Sequence, residues 1–86
     1  MENKEYYIKN LKANLGLFIL EKRLKAKMTQ ANLAKQLGIS PPEISQYETG
    51  IRLPTLIIFL RMFVAFKLQL KDIRKIVAFC KIVSII

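Results

Sequence analysis

Apolar residues along this 86-residue chain fall mostly at spacings of three and four, the repeat of an amphipathic helix, rather than in strict alternation. Leu15, Phe18, Ile19 and Leu24 recur at spacings of three to five. Lys22, Lys25 and Lys27 cluster toward the carboxyl end, where cations suit the helix dipole, so a helix is predicted over Leu15 to Lys27. Leu33, Ala34 and Leu37 predict a second helix, opened by Thr29 as N-cap and ended at Leu37, because Gly38 tolerates a left-handed backbone. A third is predicted from Ser40 to about Thr49, stopping at Gly50. Ser40 and Glu43 make a Ser-x-x-Glu capping box, and Pro41 and Pro42 fall in the first turn, where a missing N–H costs little. After Pro54 a fourth helix, Thr55 to Phe66, carries a broad apolar face of Leu56, Phe59, Leu60, Phe63 and Phe66, with Ile57, Ile58 and Val64 off it. A fifth starts near Leu70 and uses Ile73, Ile76, Val77 and Cys80. Ahead of these, residues 3–12 hold Tyr6, Tyr7, Ile8 and Leu11 among polar neighbours, an amphipathic segment that reads as an arm or an extra helix. The mostly β-branched run from Ile82 to Ile86 suits a strand as well as a helix.

The expected class is therefore all-α, in one domain, since no internal repeat, low-complexity tract or linker divides the chain. A domain of this size buries roughly 60 to 65% of its unfolded surface and gains from a partner. Fifteen Lys and Arg against six Asp and Glu, a net charge of +9, favour polyanions such as nucleic acid or anionic lipid. With no His and the single Cys80, the chain cannot build a histidine triad, a four-cysteine zinc site or an internal disulfide; neither catalysis nor a cofactor nor a metal is expected. Cys80, on an apolar stripe, reads as a small buried hydrophobe. The apolar stretch from Leu53 to Phe66 is interrupted by Pro54 and Arg61, and that from Val77 to Ile86 by Lys81. Both fall short of the ~20 residues that span a bilayer. Met1 to Lys12 has no cleavable-signal pattern, so a cytoplasmic, reducing compartment is expected.

Two short helices joined by a tight turn containing Gly38 form the helix-turn-helix layout, whose second helix enters the DNA major groove. Over Leu15 to Ile73 the chain resembles the Xre/Cro family of phage-repressor-like proteins. Leu15, Gly16 and Ile19 resemble the opening of the family's first helix, and Arg23 its recurrent arginine. Thr29, Gln30, Leu33, Ala34, Leu37 and Gly38 resemble its second helix. Ile44, Ser45, Tyr47, Glu48 and Gly50 match the end of its recognition helix, with Pro54 following. The resemblance implies a five-helix lambda-repressor-like domain over residues 14–73, preceded by an N-terminal arm or short helix over 1–13 and followed by an apolar extension over 74–86. It also implies a partly buried ion pair between Arg23 and Glu48 that ties helix one to helix three. Leu17, Phe18, Leu20, Ile57, Ile58, Phe63 and Val64 depart from the family by being apolar where relatives often place polar or small residues, and Lys67 replaces a common glycine. Such a surface needs cover from the N-terminal segment, the C-terminal tail or a second subunit. Dimerisation is accordingly expected through Ile57, Ile58, Val64, Ile76, Phe79 and Val83.

The resemblance further implies that Gln30 bridges a phosphate and the first residues of the recognition helix, while Gln46, with donor and acceptor both, is the leading reader of base edges. Pro41 and Pro42 offer only apolar contact, for instance to a thymine methyl, and Ser45 faces the groove. Glu43 has two readings, acceptor from a cytosine amino group or member of the capping box, of which the local one is favoured. Ser40 is a cap first and a phosphate ligand second. Thr29, Lys35, Thr49 and Arg52 complete the DNA-facing set, the last three as phosphate contacts, whereas Lys22, Lys25 and Lys27 read as a solvated face. The expected function is that of a dimeric, sequence-specific repressor on a near-palindromic double-stranded operator. The alternative is an antitoxin or other partner-binding regulator that grips a protein through its apolar C-terminal region and binds DNA for autoregulation. A membrane-surface amphipath would leave two capped helices about a glycine without purpose.

Overall fold

A computed structural model describes residues 4–68, 71, 72 and 74. Among the described residues four bounded helices follow one another: α1 Lys4–Lys25, α2 Gln30–Leu37, α3 Pro41–Glu48 and α4 Leu56–Ala65. Among the described residues there is no strand. The segment expected as a separate arm or short helix is instead the first half of α1, which runs unbroken for 22 residues. Nothing between Lys12 and Leu15 interrupts a helix, because Ala13 and Asn14 carry neither a ring nor a left-handed backbone. Lys71, Asp72 and Arg74 are helical. The rest of the expected fifth helix, with Ile73, Ile76, Val77, Phe79 and Cys80, and the segment Ile82 to Ile86 with Val83, lie outside the described residues.

The helix ends are written in local chemistry. The Thr29 hydroxyl accepts from the Asn32 N–H at 3.0 Å and the Thr55 hydroxyl from the Ile58 N–H at 3.2 Å, so Thr55 is the cap of α4 and not its first residue. The Glu43 carboxylate accepts from the Ser40 N–H at 3.4 Å and from its hydroxyl at 3.2 Å, closing the start of α3. All four helices finish in the same way. A left-handed residue, respectively Lys27, Gly38, Gly50 and Lys67, turns the chain. The next N–H then reaches back to a carbonyl inside the helix, as in Met28 to Arg23, Ile39 to Ala34, Ile51 to Gln46 and Leu68 to Phe63. Two of these four positions are lysines, held at φ +58° and +55°.

Leu15, Phe18 and Ile19 from α1, Leu33, Ala34 and Leu37 from α2, Ile44 and Tyr47 from α3, and Ile58 and Met62 from α4 form the core. Each fully buried aliphatic side chain contributes about 1.5 to 3 kcal/mol. Gly16 lets α1 and α3 touch: a Cβ there would lie 2.5 Å from the Tyr47 carbonyl oxygen and 2.7 Å from that of Glu48. Leu24, expected on the apolar face of helix one, is 59% exposed. Five positions after Ile19, it points about 140° away round the helix.

The orientation of α4 differs from expectation. Ile58 and Met62 point inward with Phe59, Ala65 and Phe66 beside them, whereas Leu56 and Leu60, expected inward, are exposed. A helix apolar at every position except Arg61 has no periodicity to choose a face. The outer atoms decide instead: Arg61 stays at the surface and its Nη1 donates to the Leu37 carbonyl at 2.9 Å, satisfying a carbonyl at the end of α2. Ile58, assigned to a dimer face from sequence, is thus a core residue, 8% exposed. Phe18, expected to need cover from the N-terminal segment, the C-terminal tail or a second subunit, is buried within the chain's core. Ile57 and Val64 remain exposed.

Candidate nucleic-acid interface

Three inward residues of α3, Ile44, Tyr47 and Glu48, anchor it, and this leaves Pro41, Pro42, Ser45, Gln46 and Thr49 to share the outward face at helical spacing. Pro41 and Pro42 are exposed at the first two positions, Ser45 and Gln46 are half-buried, and Thr49 is exposed, donating its hydroxyl to the Ser45 carbonyl at 2.7 Å. Since the prolines carry no N–H and the Glu43 N–H is spent on the Ser40 carbonyl, the start of α3 presents side chains to a ligand and few backbone donors. Ser40 and Glu43 are occupied with each other, in keeping with the favoured capping role.

Beneath this face lies the ion pair. Arg23 donates through Nε to Glu48 Oε2 at 2.6 Å and through Nη2 to Glu48 Oε1 at 3.2 Å, and its Nη1 donates to the Met28 carbonyl at 2.8 Å. Both residues are buried, so the pair acts with little water screening and fixes α3 against α1 in a two-point grip. Gln30 joins it: its Nε2 donates to Glu48 Oε1 at 2.9 Å. The first residue of α2 is thereby tied to the last of α3 across the turn, leaving the Gln30 amide half-buried at the edge of the surface.

Beyond Gly50 the chain folds back over the end of α3. The Gln46 carbonyl accepts from the N–H groups of Ile51 and Arg52 at 3.0 and 3.3 Å. The Arg52 side chain follows, with Nη1 donating to Gln46 Oε1 at 3.2 Å and its guanidinium 5.8 Å from the Tyr47 ring centre. Burial pushes the Tyr47 phenol above its ordinary 10.0, the Arg52 charge pulls it down and the Glu43 charge raises it. Lys35 on α2 and Arg52 beyond the end of α3 are exposed cations, and Thr29 is exposed at the start of α2, the positive end of that helix's dipole. The residues singled out from sequence from Thr29 to Arg52 thus lie on α2, α3 and the turns that border them.

Sequence reasoning missed two participants and one contact of a third. Arg61 braces α2 from α4, and a lone cation in an apolar helix was its one signal. Lys22, read as solvated, lies 3.6 Å from the buried carboxylate of Asp72 with its ammonium 5.5 Å from the Phe18 ring, a pairing without a local signature. Arg52 appeared as a phosphate contact, with no hint of its bond to Gln46. Among the described residues no group of three His, Cys, Asp or Glu lies together as metal ligands would, and no helix is long and apolar enough to cross a membrane. A helix-turn-helix family model, of the Xre/lambda-repressor-like kind, matches residues 19–80. No curated protein and no solved structure matches the chain.

Proposed function

The chain belongs to the Xre/lambda-repressor-like helix-turn-helix family, and from that premise we propose that it is a sequence-specific regulator of transcription, a dimeric repressor acting in the cytoplasm on a near-palindromic duplex. The observation that carries this reading is the division of labour on α3. Its inner side is locked to α1 and α2 through Arg23, Glu48 and Gln30, and its outer side carries Pro41, Pro42, Ser45, Gln46 and Thr49. A helix held rigidly beneath, with two prolines and three polar side chains above, meets the need of direct readout, in which side chains reach base edges from a fixed backbone. Lys35, Thr49 and Arg52 contact phosphates on either side and set the register, with Ser40 and Thr29 near the strand as their caps allow.

Selecting bound sequences from a random duplex pool tests the proposal. Two half-sites about 34 to 36 Å apart are expected, related by a dyad. Loss of about 1 to 3 kcal/mol on Gln46→Ala, confined to one base pair of each half-site, would place the reader. A pool that enriches no sequence would refute sequence-specific binding.

The alternative reading draws on the outer face of α4. Leu56, Ile57, Leu60 and Val64 are 71%, 63%, 55% and 80% exposed and follow one stripe of the helix. A second subunit there makes the dimer; a different protein there makes the chain an antitoxin-like regulator that represses its own synthesis. Co-purification with a stoichiometric foreign protein, in place of a homodimer of defined mass, would decide for the second.

A further inference from the structure

The geometry points to Arg52 as a positioning residue that presets the amide of Gln46 and so selects the base it reads. The inference rests on the proposed DNA-reading role of α3. A guanidinium carries donors and no acceptor, so the amide atom facing Arg52 Nη1 at 3.2 Å must be the oxygen of Gln46. With Oε1 so engaged, the Nε2 donors point away from Arg52.

The guanidinium is itself held in place. It lies over the buried Tyr47 ring, 5.8 Å from its centre, and the Arg52 N–H bonds the Gln46 carbonyl at 3.3 Å, so backbone and side chain of Arg52 both reach the same residue. A free glutamine pairs with adenine through both amide atoms, accepting from N6 and donating to N7. Gln46 turned by Arg52 leads with its Nε2 donors and has one of the two Oε1 lone pairs already taken, which favours guanine, whose N7 and O6 both accept, over adenine. Arg52 would therefore bias Gln46 from adenine toward guanine without touching a base.

Duplexes from the selected operator, carrying each of the four base pairs at the position that Gln46→Ala relaxes, provide the test. The parent is expected to bind the guanine duplex about tenfold more tightly than the adenine duplex, within the discrimination one amide contact supplies. Arg52→Met keeps an apolar stem over Tyr47 and removes the donor, and it is expected to erase or invert that ratio while leaving preferences at other positions unchanged. In a Gln46→Ala background the same substitution should leave the ratio where it already was. Equal weakening on all four duplexes would reduce Arg52 to a phosphate contact and overturn the inference, as would a parent that prefers adenine. A parent with no preference among duplexes would instead overturn the DNA-reading role itself, and this inference with it.

Discussion

Arg23 and Glu48 are two opposite charges almost out of reach of water, and such a pair is costly to break from one side. Arg23→Met leaves the Glu48 carboxylate buried with only Gln30 to donate to it. The expected loss is about 3 to 5 kcal/mol, read from urea unfolding, while the double replacement with Glu48→Leu should recover most of it. Tyr47 gives a pH dependence of definite sign. Because burial raises its folded-state value above 10.0, the folded protein keeps a proton that the unfolded chain releases. The corresponding stability is complete below pH 10.0 and declines as pH rises through the folded-state value. Urea midpoints followed on both sides of that pH should fall more steeply for the parent than for Tyr47→Phe. Lys67 sits at φ +55° where a glycine has no Cβ to strain, and Lys67→Gly is expected to stabilise the fold by about 0.5 to 1 kcal/mol.

Between elements α1 comes close against the backbone of α3 at Gly16. The atoms a methyl would strike there are backbone carbonyl oxygens of Tyr47 and Glu48, which cannot swing aside as a side chain would. Gly16→Ala is therefore expected to push the helices apart and cost about 3 kcal/mol, the upper end for overpacking, with weakened DNA binding because α3 loses its support. The turn between α2 and α3 is braced twice, by Gln30 on Glu48 and by Arg61 on the Leu37 carbonyl. That bracing holds the outer face of α3 at a fixed angle to the rest of the domain. The extension of α1 back to Lys4 carries Glu5, Ile8, Lys9 and Lys12 to the neighbourhood of Gly50, where they line an open cleft of about 300 Å³.

At the level of the whole molecule, a net charge of +9 and an uncovered apolar stripe call for two different partners. The charge suits the phosphates of a duplex, and log K is expected to fall against log salt with a slope of about 0.9 for each phosphate neutralised. The stripe of Leu56, Ile57, Leu60 and Val64 suits another apolar surface. As Leu60 is 55% exposed, Leu60→Glu should change the stability of the folded monomer by no more than about 0.5 kcal/mol. In sedimentation equilibrium it should nevertheless convert a dimer to a monomer. An unchanged mass would remove this face from the dimer contact.

Local rules carried the turn and its two helices. Thr29, Gly38, Ser40, Glu43 and Gly50 act on neighbours within one helical turn, so their roles are legible in the sequence. The inward placement of Leu33, Leu37, Ile44 and Tyr47 followed from their period for the same cause. The Arg23–Glu48 pair was visible through family resemblance alone, because no rule of spacing links partners 25 residues apart. Where periodicity was absent, assembly made the choice. The apolar α4 turned Ile58 and Met62 inward and left Leu56 and Leu60 outside once Arg61 had to reach Leu37 from the surface. Folding also brought Lys22 to Asp72 and Arg52 to Gln46, contacts that depend on where distant backbones cross. Short-range order is encoded in caps and repeats. The facing of a uniformly greasy helix and the pairing of remote charges come from competition for one shared interior.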